Sequence, residues 1–115
     1  MKKVVLLTML LLSQLIYATD NQTKTQRLVA SIEADVPSLT LEQLSQISAA
    51  AETYMNALAS ANQQYSHDVK TRIATKASAE ERFIEAVESI MTEIQSQQWN
   101  SAKEQRKQQI VEQYI

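Results

Sequence analysis

Glycine and cysteine are both missing from this chain of 115 residues, and proline occurs once, at Pro37. Without glycine the backbone has no cheap entry to positive φ, so tight hairpins and bulged strands are excluded. The same lack removes the Walker loop, the dinucleotide fingerprint and the glycine-framed nucleophile elbow. Without cysteine there are no disulfides, and one histidine, His67, supplies no ordinary zinc set. Aromatic residues make up only 5% of the chain. What is abundant is Ala, Gln, Glu and Leu, all good helix formers. These residues predict an all-α fold of helices and short turns.

Long apolar runs are confined to the beginning. Lys2 and Lys3 precede an apolar stretch from Val4 to Leu12, and the segment closes on Ile16-Tyr17-Ala18. This is the layout of a secretory signal peptide over residues 1–18, with cleavage expected before Thr19. The apolar run is shorter than the roughly 20 residues a spanning helix needs. The expectation is an exported, periplasmic protein with no stable membrane span after cleavage, residues 19–115 forming a single helical domain. Both leader lysines would leave with the cut while all 13 acidic residues stay, so that domain is more acidic than the whole chain's net charge of −2. No basic stripe stands out, which argues against nucleic acid as a partner.

Within the domain, Leu28, Val29, Ile32 and Val36 fall at helical spacing and predict a short first helix ended by Pro37. Thr40 and Gln43 form a capping box, with Leu39 and Leu44 at the staple positions around it. The second helix is expected to run from Leu41 to about Lys76, along a stripe that includes Leu41, Ile47, Ala51, Tyr54, Leu58, Val69 and Ile73. A second box, Ser78 to Glu81, opens the third helix with its stripe of Phe83, Ala86, Val87, Ile90, Met91 and Ile94. The pattern lapses over Gln95 to Gln98, and the residues beyond are compatible both with a break near Asn100 and with one uninterrupted helix. The expected architecture is a short N-terminal helix followed by a long antiparallel helical hairpin folded at Ala77. That register sets Lys70 and Arg72 near Glu81 and Glu85, and Glu52 near Lys103.

Catalytic sets are not apparent, and no cofactor or metal is expected. His67 adjoins Asp68, but helix neighbours point about 100° apart and do not face each other. Glu81, Glu85 and Glu88 share one helical side, where they could hold a divalent cation. Acids near a helix N-terminus are stabilising in their own right, and that is the simpler reading. Tyr54, Met55, Leu58, Tyr65, Phe83, Met91 and Trp99 point elsewhere. A two-helix layer cannot bury both its sides, and aromatic and Met side chains suit adaptable apolar contacts. These seven are the candidate protein-binding residues.

Leu39-Thr40-Leu41-Glu42-Gln43 reads LTxxQ and resembles the motif of Spy/CpxP-type periplasmic proteins, which are small, helical and exported. A weaker echo, Met91-Thr92-Glu93-Ile94-Gln95, keeps only T-x-x-Q. The resemblance implies a cradle-shaped dimer that shields unfolded clients or damps envelope-stress signalling. The acidic balance departs from the basic concave face of such chaperones. Two functions are expected in consequence. The leading one is an exported, non-enzymatic protein-binding module, chaperone-like or related to envelope stress, acting on a protein partner or unfolded client, with a homodimer as one way to cover its apolar face. The alternative is a structural or accessory coiled-coil protein bound to one dedicated envelope or secretion partner.

Overall fold

The computed structural model describes residues 22–114, which form four helices and no strand. The expected leader, residues 1–18, lies outside the described residues. Helix α1 covers residues 22–35 of the described chain. Helix α2 is Leu41–Gln64, α3 is Val69–Ile90 and α4 is Glu93–Tyr114.

Pro37 ends α1 as expected: the last helical bond of that turn runs from the Val36 N–H to the Ile32 carbonyl at 2.9 Å. Thr40 then starts α2 with a complete capping box. The Gln43 N–H donates to Thr40 Oγ1 at 3.1 Å, and the Thr40 N–H donates to Gln43 Oε1 at 2.9 Å. Leu39 is buried and Leu44 packs on the same core, so the staple forms as well.

The hairpin turns at residues 65–68, not at Ala77. Asp68 caps α3, accepting from the Thr71 N–H at 3.1 Å and from Thr71 Oγ1 at 2.7 Å. Tyr65, Ser66, His67 and Asp68 are all mediocre helix formers in succession, and an Asp with Thr three residues on offers the free N–H groups of a new helix an acceptor. Ser78 to Glu81 opens nothing, because the chain reaches Ser78 already helical and its N–H groups are already bonded. With the turn moved, Lys70 and Arg72 share α3 with Glu81 and Glu85 instead of opposing them. Arg72 Nη1 donates to the Ser66 carbonyl at 3.1 Å, and Lys76 Nζ to Asn62 Oδ1 at 3.0 Å.

The helix end considered near Asn100 occurs at Met91 and Thr92, and α4 runs through Asn100 unbroken. Met91 takes ψ 153°, which is extended. Thr92 starts the new helix by a second box: Gln95 N–H to Thr92 Oγ1 at 3.2 Å, and Thr92 N–H to Gln95 Oε1 at 3.0 Å. The weaker T-x-x-Q echo is thus a helix start of the same form as the first.

The two boxes meet. Gln43 Nε2 donates to Gln95 Oε1 at 2.8 Å and to the Ile90 carbonyl at 3.2 Å. Gln95 Nε2 donates to the Ser38 carbonyl and to Ser38 Oγ, each at 3.2 Å, and lies 3.4 Å from Gln43 Oε1. Each glutamine oxygen caps its own helix while each amide reaches the chain end beside the other. Gln95 is the buried polar residue of the core, and both polar atoms of its side chain have partners, which is what such burial requires.

Around this clasp Ile32, Val36, Ile47, Ala51, Phe83, Val87, Met91 and Trp99 form one buried cluster drawn from all four helices and the links between them. Fully burying a side chain such as Ile47 is worth about 1.5–3 kcal/mol. Helix α4 joins the core only through its first turns; residues 104–113 are exposed throughout. No helix among the described residues is long and apolar enough to cross a membrane.

Candidate functional site

An open groove of about 270 Å³ runs between α2 and α3. It exists because of small residues at matched spacing. Ala50, Thr53 and Ala57 face it from α2, and Ala79 and Ala86 from α3. On each helix the two alanines stand seven residues apart, two turns along one face. Methyl groups at those places leave a hollow where larger side chains would fill the seam.

Tyr54 and Phe83 complete the lining, their rings stacked with centroids 5.0 Å apart and planes 17° from parallel. Such a pair adds about 0.5–1.5 kcal/mol beyond the area it buries. Burial raises the Tyr54 hydroxyl above its ordinary pKa of 10.0, and the charge of Glu80 raises it further. The phenol therefore stays protonated at neutral pH and offers a donor. Arg82 brings a positive charge to the groove lining. The surface as a whole is a shallow apolar trough with a cation beside it.

The seven expected binding residues divide between surface and interior. Tyr54 lines the groove at half burial, and Phe83 lines it from within the core. Met55, Leu58 and Tyr65 are half-buried, Tyr65 lying in the hairpin turn. Met91 and Trp99 are core residues, 7% and 4% exposed, and so offer a protein partner almost no surface. Trp99 is a staple: it packs in the cluster with Ile32, and Lys103 Nζ stands 3.6 Å over its ring. Of the four groove alanines only Ala86 stands on an expected stripe; Ala50, Ala57 and Ala79 do not, and the spacing of seven on each helix is the cue the sequence offers.

Some apolar residues placed on the expected stripe face solvent. Leu41 is 86% exposed, Ile73 61% and Ile94 71%. Leu41 is the first residue of α2 and lies on the side of that turn away from the core, which Leu39 and Leu44 enter on either side of it. Ile73 and Ile94 belong to helices whose phase restarts at residues 68 and 92, which turns them outward.

Glu81, Glu85 and Glu88 lie along α3, and among the described residues no group of three acidic, imidazole or thiol side chains is placed to hold a metal ion. Comparison of the chain with family models, with curated proteins and with solved structures finds no match.

Proposed function

We propose that this chain is an exported, non-enzymatic helical module that binds apolar segments of a protein partner or unfolded client along the α2–α3 groove. The observation that carries the reading is the groove itself: an apolar trough lined by four alanines beside the stacked Tyr54–Phe83 pair and open to solvent. Exposed Leu41 and Ile73, on the same two helices, add apolar surface. The paired T-x-x-Q boxes and the leader-like first residues support an envelope setting, through the resemblance to Spy/CpxP-type proteins. Aggregation of a thermally unfolding client, followed by light scattering, tests this. The protein is expected to suppress it at equimolar amounts, and Ala57→Glu, which puts a charge in the trough, is expected to abolish the effect. Unchanged client aggregation in the presence of the unsubstituted protein refutes the chaperone form.

The second reading, an accessory coiled-coil protein with one dedicated partner, has its own observation. The free half of α4 carries Ile110 and Val111, 56% and 55% exposed. Cross-linking in an envelope extract separates the two, since one major adduct supports a dedicated partner and many support a client binder.

A further inference from the structure

A second hollow, about 180 Å³, shares Tyr54 and Phe83 with the groove and is otherwise bounded by α1, α4 and the Glu80 and Ile84 side of α3. Its apolar wall is Leu28, Ile32, Phe83, Ile84 and Trp99. Its lining also carries Glu80, Lys103 and Arg106. Arg106 is already engaged: Nη1 donates to Asp35 Oδ1 at 3.1 Å and Nη2 stands 2.8 Å from Oδ2. This fork ties α4 to α1 and consumes that positive charge.

Lys103 and Glu80 are in a different situation. Lys103 Nζ is held over the Trp99 ring at 3.6 Å, and among the described residues no carboxylate lies within ion-pairing distance of it. Burial holds its pKa below the ordinary lysine value, with Glu88 and Glu80 pulling the other way. Glu80 likewise forms no ion pair among the described residues, though its charge is felt by both Lys103 and Tyr54. An apolar hollow therefore opens between one cation fixed on an aromatic face and one anion, neither neutralised by the other at contact distance.

We propose that this hollow binds a small zwitterion with an apolar side chain, of the class of a free leucine-sized amino acid. Its carboxylate meets Lys103, its ammonium meets Glu80, and its side chain lies against Trp99 and Phe83. The volume is below the roughly 300–1,000 Å³ of pockets that hold drug-sized molecules, which restricts the ligand to a few carbons. A simple carboxylate would face Glu80 without a counter-charge, and a simple amine would face Lys103 in the same way, so both charges are needed.

Trp99 is the single tryptophan of the chain and lines the hollow, so its emission reports occupancy. The full chain is titrated with L-leucine, with isocaproate, which lacks the amino group, and with isopentylamine, which lacks the carboxylate. Saturable change with leucine, and affinities at least about tenfold weaker for both analogues, is the expected result; tenfold corresponds to about 1.4 kcal/mol, one good charged contact. Lys103→Met and Glu80→Gln are each expected to weaken leucine binding to a similar degree while the helical circular dichroism stays unchanged. Ser31→Phe, which fills the hollow without removing a charge, is expected to abolish it. No saturable change with any of the three compounds overturns the proposal. So does isocaproate binding as tightly as leucine with Glu80→Gln silent, which would show that a carboxylate alone is recognised.

Discussion

Asp68 decides where the hairpin turns, and it does so with two short contacts from Thr71. Both hydrogen bonds are to the charged carboxylate, and they hold its pKa below the ordinary value of 3.8. A carboxyl depressed in the folded state adds stability that is fully present above its unfolded pKa and is lost as pH falls through the folded value. The first turn of α3 is therefore expected to loosen in acid, over a window beginning near pH 4 and extending below it. Melting temperature measured between about pH 6 and pH 2 should fall in that window for the native chain. Asp68→Asn, which keeps an acceptor but has no proton to gain, should lose most of that acid limb. An unchanged acid profile in the variant would show that other carboxylates govern it. At this scale much is legible in the sequence: Thr40, Gln43 and Pro37 act as expected, because a cap or a proline works through atoms within four residues of itself. Asp68 carries the same kind of signal, but the apolar positions on either side of it outweigh that signal in a reading by periodicity.

At the scale of the element, a T-x-x-Q box does two jobs where a capping box ordinarily does one. Gln43 and Gln95 each satisfy a helix start through the oxygen and tie to the other's neighbourhood through the amide, across 52 residues of sequence. The clasp fixes the α1–α2 link against the α3–α4 break. Gln95→Leu keeps the volume but leaves the Thr92 N–H and one Gln43 amide proton unsatisfied in a part-buried place. An orphaned group of that kind costs about 1–3 kcal/mol, and the loss should appear as a lower midpoint in urea unfolding. A double-mutant cycle with Gln43→Leu should show the two losses to be strongly non-additive, since either change alone breaks the shared bond. Additive losses would mean that the two boxes cap their helices independently. The lapse of the pattern over Gln95 to Gln98 leaves a break near Asn100 and one uninterrupted helix equally open, whereas the break lies earlier, at Met91 and Thr92. Once α4 has started at Thr92, Trp99 lies on its buried side and Asn100 on its exposed side, so neither interrupts it.

For the whole molecule, the question is what keeps α1 and α4 on the hairpin. The Arg106–Asp35 fork is two-pronged, but the Arg106 side chain is 47% exposed. A pair in that position is worth about 0–1 kcal/mol. Trp99, enclosed with Ile32 and Phe83 in one cluster, is worth more: replacing a buried tryptophan by alanine costs about 3–5 kcal/mol. Urea unfolding should accordingly show Arg106→Gln within about 1 kcal/mol of the native chain and Trp99→Ala several kcal/mol below it. Comparable losses for both would make the attachment ionic instead. Beyond Lys103 helix α4 leaves the core, its residues 104–113 exposed; the light-scattering mass of the purified protein measures whether a second copy covers them.

Composition by itself determined that this chain is helical, because glycine is absent, proline occurs once and good helix formers dominate, and the sequence determined the helix end at Pro37 and the start at Thr40, because such signals are local. The tertiary structure alone decided that Trp99 and Met91 are interior while Leu41, Ile73 and Ile94 are not. An apolar side chain at helical spacing has a phase only relative to where its helix begins, and a shift of a few residues in a turn rotates every later side chain by a large angle. The groove, too, was a tertiary matter: an apolar stripe marks which face is buried but not how fully it is filled, and only two helices laid side by side turn alanine's small size into a hollow.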